Sequence, residues 1–206
     1  MKEIRILIAD DHSLVRMGLA SLLGAKAGFA VVGEATNGKE AVDAAKKLKP
    51  DVVVMDLMMP VCNGADATAA IHDAAPEVKV MMLTTFGAAN DIALALKNGA
   101  TGAVMKSITN DELVDAIRRV AAGERVVSPE IERMMAELEP LPELSQRQLQ
   151  ILDSITRGLS NSEISMQYGI SPESVKTHTA KLFAKIGAAN RAEAASIALR
   201  RHLLKM

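Results

Sequence analysis

Apolar residues in the first 105 positions gather into five short runs, each ended by a polar residue or a glycine. Ile4–Ala9 stops at Asp10 and Asp11. Val31, Val32 and Gly33 make a second, shorter run. The third, Val52 to Met55, ends abruptly in Asp56, and Pro60 bars the strand from continuing. Residues 78–83 end at Thr84 and Thr85, and residues 101–105 end at Lys106. Runs with no polar alternation are read as strands buried on both faces of a parallel sheet. Helical spacing fills the gaps. Val15, Leu19, Leu22 and Leu23 repeat on one face before Gly28. Asn37 is placed to cap a helix through Lys49, which Pro50 terminates. Gly64 marks a loop before a helix to Ala75, and a helix around Ile92 and Leu96 stops at Asn98 and Gly99. Thr109 is placed to cap a helix whose Leu113, Ala116, Ile117 and Val120 share a face before Gly123.

Five strand–helix repeats in about 123 residues require right-handed crossovers, hence a doubly wound α/β fold with helices on both sheet faces. The strand ends then collect Asp10, Asp11, Asp56, Thr84 and Lys106 along one edge, where open α/β sheets place their ligands. Three crowded carboxylates stay ionised only if a cation joins them. A hard divalent ion, Mg²⁺ by preference, suits oxygen donors and needs few protein ligands when phosphate supplies others. One carboxylate can then take up a phosphoryl group as an aspartyl phosphate, with Lys106 and Thr84 meeting the remaining phosphoryl oxygens. His12 is read as opening the first helix at the pocket rim. Cys62 is read as a loop thiol that fills a small apolar space.

Beyond residue 123 the pattern changes. Residues 124–143 hold two Lys/Arg and six Asp/Glu together with Pro129, Pro140 and Pro142. They are read as a linker: a short helix begins at Ser128-Pro129 and runs to about Leu138, and a stiff hinge follows at Pro140-Leu141-Pro142. Residues 144–206 read as four compact helices. Leu149, Leu152, Ile155 and Leu159 line the first. The second ends at Gly169, and Ser171-Pro172 starts the third after a tight turn. Helix, glycine-containing turn and helix is the arrangement that sets a recognition helix into the DNA major groove. Val175, Leu182 and Ile186 then face inward, leaving Lys176, Thr177, Ala180, Lys181 and Ala184 outward. The small side chains there admit close approach, and the lysines suit phosphates or bases.

Charge supports this division. The net charge of −1 conceals nine Lys/Arg against four Asp/Glu in residues 144–206, which points that end toward a polyanion. Aromatic residues are only 2%, too few for reading single strands by stacking, so duplex DNA is favoured. A lone cysteine fits a reducing compartment, and the lack of an 18-residue apolar run or an apolar leader gives the expectation of a cytosolic protein without membrane attachment.

Asp10-Asp11, Asp56-Leu57-Met58-Met59-Pro60 with Gly64, Leu83-Thr84 and Lys106 resemble the receiver domain of two-component response regulators, across residues 1–123. The resemblance implies a five-stranded flavodoxin-like sheet of order 2-1-3-4-5, with Asp56 as phosphoacceptor. It implies Mg²⁺ arranged by Asp10, Asp11, Asp56 and the Met58 carbonyl, and a partner histidine kinase as phosphodonor. Thr84 and Lys106 would contact the phosphoryl group. The aromatic that many receivers carry three residues before the lysine is Ala103 here, and the proline that often follows it is Ser107.

Residues 144–204 resemble the LuxR-type helix-turn-helix of the NarL/FixJ family. The match runs through Leu144-Ser145-Gln146-Arg147, Gly158 to Ile164, Val175-Lys176-Thr177-His178, Lys185-Ile186-Gly187 and Asn190-Arg191. By that resemblance Lys176 and Thr177 reach base edges, Lys181 and Lys185 lie near phosphates, and the last helix makes a homodimer contact. The glutamates of that pattern are Gln148 and Gln150 here, and Ala180 is smaller than in many relatives. The expected function is a transcription regulator, not an enzyme, switched by phosphorylation of Asp56. Two alternatives stay open: a DNA-binding regulator that works without phosphorylation, and a Mg²⁺-dependent phosphohydrolase. The hydrolase needs a second acid two residues after the nucleophile, where this chain has Met58.

Overall fold

The structure is a computed structural model that describes residues 3–85, 89–138 and 142–204. The chain divides into two compact units, Met1–Leu138 and Glu139–Met206.

In the first unit five strand–helix pairs alternate: β1 (Ile4–Ala9), α1 (Ser13–Gly24), β2 (Phe29–Ala35), α2 (Gly38–Leu48), β3 (Val52–Asp56), α3 (Gly64–Ala74), β4 (Lys79–Thr84), α4 (Ala89–Lys97), β5 (Gly102–Met105) and α5 (Asn110–Ala121). Two short elements follow, β6 (Val126–Val127) and α6 (Pro129–Ala136). All strand pairs are parallel, in the order β2-β1-β3-β4-β5-β6. Strand residues alternate between two apolar layers. Leu7, Val53, Met55, Met82 and Ala103 face α2, α3 and α4 through Ala41, Ala45, Ala67, Ile71, Ile92 and Ala95. Ile6, Ile8, Val54, Met81 and Val104 face α1 and α5 through Leu23, Leu113, Ile117 and Val120. The sheet is thus covered on both sides, and its polar chemistry is confined to the strand ends.

The caps bear out the expected helix starts. Asn37 accepts from the Glu40 amide at the head of α2, and Thr109 forms a reciprocal capping box with Glu112 at α5. Asn63 caps α3 in the same way, a start the periodicity alone left unplaced. The chain leaves α2 through Lys49 at φ 46°, in the left-handed region, just before Pro50. Two elements differ from the pattern. The second strand spans seven residues, with an irregular register beside Ile6 and Leu7, because its middle is only half-buried and shows no clean apolar run. Residues 124–138, expected as linker, add a sixth strand and a helix to the first unit. Val126–Val127 pairs with Gly102 and Ala103, and fully buried Ile131 joins the layer that holds Ala103 and Ile92. That helix begins at Pro129 as expected, but the Ser128 side chain makes no cap bond. Of the expected hinge, Pro140 and Leu141 lie outside the described residues.

The second unit contains α7 (Gln146–Thr156), α8 (Asn161–Tyr168), α9 (Pro172–Ile186) and α10 (Arg191–Arg200). Ile151, Leu152, Ile155, Ile164, Val175, Leu182, Ile186, Ala194 and Ala198 form its core. Val175, Leu182 and Ile186 face inward as their spacing requires, whereas Leu149 is half-buried and Ile151 fills the interior position. Ser145 and Ser160 form capping boxes with Gln148 and Glu163. Gly169 (φ 62°) turns the chain between α8 and α9 in a conformation that disfavours any side chain.

Candidate functional site

Parallel strands that end in register deliver Asp10, Asp56, Thr84 and Lys106 to one edge of the sheet. Asp56 pairs with Leu83, and Thr84 with Met105, so each polar residue emerges one step from its neighbours. Asp10 and Asp56 are 1% and 5% exposed. Lys106 reaches across the edge, its Nζ 2.7 Å from Asp10 Oδ2 and 3.0 Å from Asp56 Oδ2. Burial pushes the Asp56 carboxyl above its ordinary value, and the hydrogen bond and charge of Lys106 only partly offset this. For Lys106 burial works against the charge, but hydrogen bonds to Asp10 and Asp56, reinforced by their charges, raise its pKa. The ammonium therefore stays charged at neutral pH, between two acids.

The exposed Asp11 lies at the rim. His12 sits at the cap position of α1, where its backbone N–H donates to Asp10 Oδ1 at 2.8 Å. Its Nδ1 stands 2.8 Å from Asp11 Oδ1 and 3.4 Å from Asp10 Oδ1. One donor atom from each of Asp10, Asp11, His12 and Asp56 lies within 4.8 Å of the others. Octahedral Mg²⁺ bonds oxygens at about 2.1 Å, which spaces adjacent ligands about 3 Å apart and opposite ones about 4.2 Å apart. The three carboxylates among these donors have the hard-oxygen chemistry that such a cation takes.

Thr84 is buried at the end of β4, with its hydroxyl donating to the Thr85 carbonyl at 3.3 Å, and the Lys106 amide donates to the Thr84 carbonyl at 2.6 Å. The Met58 side chain is exposed, while its backbone N–H donates to the Asp56 carboxylate. The loop after Asp56 is held close by Gly64, whose amide donates to the Leu57 carbonyl. A Cβ at Gly64 would come within 2.3 Å of the Asp56 carbonyl oxygen. Cys62 is half-buried, and burial followed by the Asp66 charge raises its thiol pKa, which agrees with an unreactive filler. Ala103 is fully buried beneath the sheet face. Sequence reasoning passed over Arg16, which donates to the Asp10 carbonyl at 2.9 Å and meets Glu34 at 3.3 Å, fixing the turn that carries the first acids. Its position one turn into α1 was the available signal.

In the second unit Lys176, Thr177, Ala180, Lys181, Ala184 and Lys185 are all exposed on α9. The Thr177 hydroxyl donates to the Glu173 carbonyl one turn back, and Lys176 stands 3.5 Å from Glu173. Lys185 is engaged otherwise: its ammonium donates to the Glu143 carbonyl at 2.8 Å and to Gln148 Oε1 at 3.4 Å. His178 is half-buried. Arg191 was quoted only for its motif, and its guanidinium donates to the Leu159 carbonyl and to Asn161 Oδ1, bracing the turn before α8. Tyr168 braces the other end of α8: its hydroxyl donates to the Gln150 carbonyl and Arg147 lies over its ring.

Residues 6–118 match the response regulator receiver domain, and residues 142–198 match the luxR family of bacterial regulatory proteins. The response regulator protein VraR of Staphylococcus aureus is 35% identical over 207 residues, covering 98% of this chain and 99% of VraR. A crystal structure of the response regulator ChrA, of a heme-sensing two-component system, superposes with a TM-score of 0.61 at 33% identity, over 99% of this chain and 100% of that one. An RcsB–DNA complex superposes at 0.67 with 21% identity, over 97% and 99% of the two chains, a likeness of fold. The chain belongs to the DNA-binding response regulators, in which a receiver domain precedes a LuxR-family domain that regulates transcription.

Proposed function

We propose that Asp56 accepts a phosphoryl group from a partner histidine kinase in the cytosol, and that this favours a homodimer able to bind a two-fold-related site in duplex DNA. Phosphorylation-dependent regulation is the standard mode of the family. The observation that carries the reading is the Lys106 ammonium lodged between Asp10 and Asp56 at the strand edge. Asp10, Asp11 and Asp56, with the Met58 carbonyl, would hold Mg²⁺. That ion would supply positive charge to offset the carboxylates and the incoming phosphoryl group. An Asp56 carboxylate oxygen attacks phosphorus as the bond to the donor imidazole breaks. Lys106 then turns from the two acids to a phosphoryl oxygen, and the Thr84 hydroxyl exchanges the Thr85 carbonyl for another. In the second unit Lys176 and Thr177 reach base edges beside the small Ala180, and Lys181 meets phosphate. Lys185 lies near the backbone while tied to Glu143.

Asp56→Asn removes the nucleophile without changing shape. With Mg²⁺ and a small radiolabelled phosphodonor, the wild-type chain should acquire an acid-stable, base-labile label and the variant none. Undiminished labelling of Asp56→Asn would reject Asp56 as acceptor. Labelling that leaves DNA affinity unchanged would favour the reading without phosphorylation control, which the replacement of an aromatic by Ala103 motivates.

A further inference from the structure

We infer that Lys185 is a positioning residue for DNA reading: it clamps the chain that enters the second unit onto the last turn of α9, and leaves phosphate contact to Lys181. This rests on α9 reading duplex DNA, as proposed above, and gives the two lysines different tasks. Lys185 Nζ donates to the Glu143 carbonyl oxygen at 2.8 Å and to Gln148 Oε1 at 3.4 Å. Glu143 stands two residues before Ser145, the cap of α7, and Gln148 lies in the first turn of that helix. One ammonium thus ties the head of α7 and the strand of chain leading into it to the tail of α9.

The acceptor is itself held in place. Gln148 is buried, and its Oε1 also accepts from the Ser145 amide at 3.0 Å within the capping box. Helical geometry sets Lys185 away from the reading face. At 3.6 residues per turn it lies about 80° round α9 from Thr177 and about 60° from buried Leu182, at the border of the apolar side, whereas Lys181 lies only about 40° from Thr177. The Lys185 charge also sits in the last turn of α9, where it complements the negative end of the helix dipole. A swing to a phosphate would break two charge-assisted hydrogen bonds to gain one new partner. The clamp instead fixes the frame from which Lys176 and Thr177 reach the bases.

The role is read on the full chain by fluorescence anisotropy, with one labelled duplex that the wild-type chain selects from a random pool, across a series of salt concentrations. Lys185→Met should weaken binding about three- to tenfold while changing the slope of log affinity against log salt by less than about 0.3. Lys185→Arg keeps a charged donor and should restore most of the affinity. Without DNA, amide hydrogen exchange at residues 143–148 should quicken in Lys185→Met and stay near the wild-type rate in Lys185→Arg, a local change that loss of a phosphate contact would not produce. A slope lowered by about 0.9 in Lys185→Met assigns Lys185 to a phosphate and overturns the inference. Undiminished affinity or unchanged exchange in that variant overturns it as well, and each leaves the DNA reading intact. A wild-type chain that selects no duplex overturns the DNA reading and the positioning role together.

Discussion

Val61 holds a backbone conformation that its side chain opposes. It lies five residues past Asp56 at φ 69°, and the Cys62 amide donates to the Pro60 carbonyl at 2.8 Å to close a three-residue turn around it. A β-branched residue in the left-handed region costs about 1–3 kcal/mol, and the 83%-exposed side chain returns little by packing. The turn persists because its surroundings determine it: the Gly38 amide donates to the Cys62 carbonyl, and Gly64 ties the other side of the loop to Leu57. Val61→Gly should therefore raise the stability of the first unit by about 1 kcal/mol in urea titration, after the greater freedom of glycine in the unfolded chain is subtracted. No gain would mean that the strain is relieved elsewhere. The capping box of α8 gives a second residue-scale test. The Ser160 hydroxyl and amide hold the Glu163 carboxylate below its ordinary pKa of 4.5. Since the folded value is depressed, the stabilisation is present above the unfolded value and fades as pH falls through the folded one. In Ser160→Ala the Glu163 carboxyl, followed by NMR titration, should move back toward 4.5, with the backbone donor retaining part of the shift.

Among the elements, β6 and α6 show how far local signals reach. Two strand residues and one buried side chain dock residues 126–136 onto the first unit: Val126 and Val127 extend the sheet past β5, and Ile131 enters the layer beside Ala103. Val127, Met134 and Met135 pack against the same layer, which also holds Ala103. Ile131→Ala should cost the first unit about 2–5 kcal/mol and lower its thermal transition, while a transition from the second unit stays in place. Were α6 only a surface linker, the substitution would change neither. The sequence suggested the helix but not its docking. An isolated two-residue strand carries no periodicity, and one isoleucine among glutamates reads as an ordinary exposed helix until its partner surface is known.

At the scale of the molecule, chemistry is divided between a unit whose polar groups converge on buried acids and a unit whose lysines stand in solvent. The second arrangement makes a salt-dependent partner measurable. On the proposed reading Lys181 meets a phosphate, so Lys181→Ala should weaken binding to duplex DNA about equally across sequences. It should also lower the slope of log affinity against log salt by about one. A sequence-selective loss with an unchanged slope would instead assign Lys181 to a base edge. Among the described residues no helix is long and apolar enough to cross a membrane.

The order and type of the main elements were legible along the chain because burial on both sheet faces leaves unbroken apolar runs, and because caps such as Asn37 and Thr109 act within four residues. Asp10, Asp56, Thr84 and Lys106 were legible for the same reason: a polar residue that ends an apolar strand in a parallel sheet has one edge to go to. Tertiary structure alone decided what depends on distant partners. The bridging of Lys106 across two acids, the folding of His12 over Asp11, the tether of Lys185 to Glu143 and the docking of Ile131 join residues whose contacts arise from packing. No local spacing encodes such contacts, since their energy exists only once separate strands and helices have been brought into register.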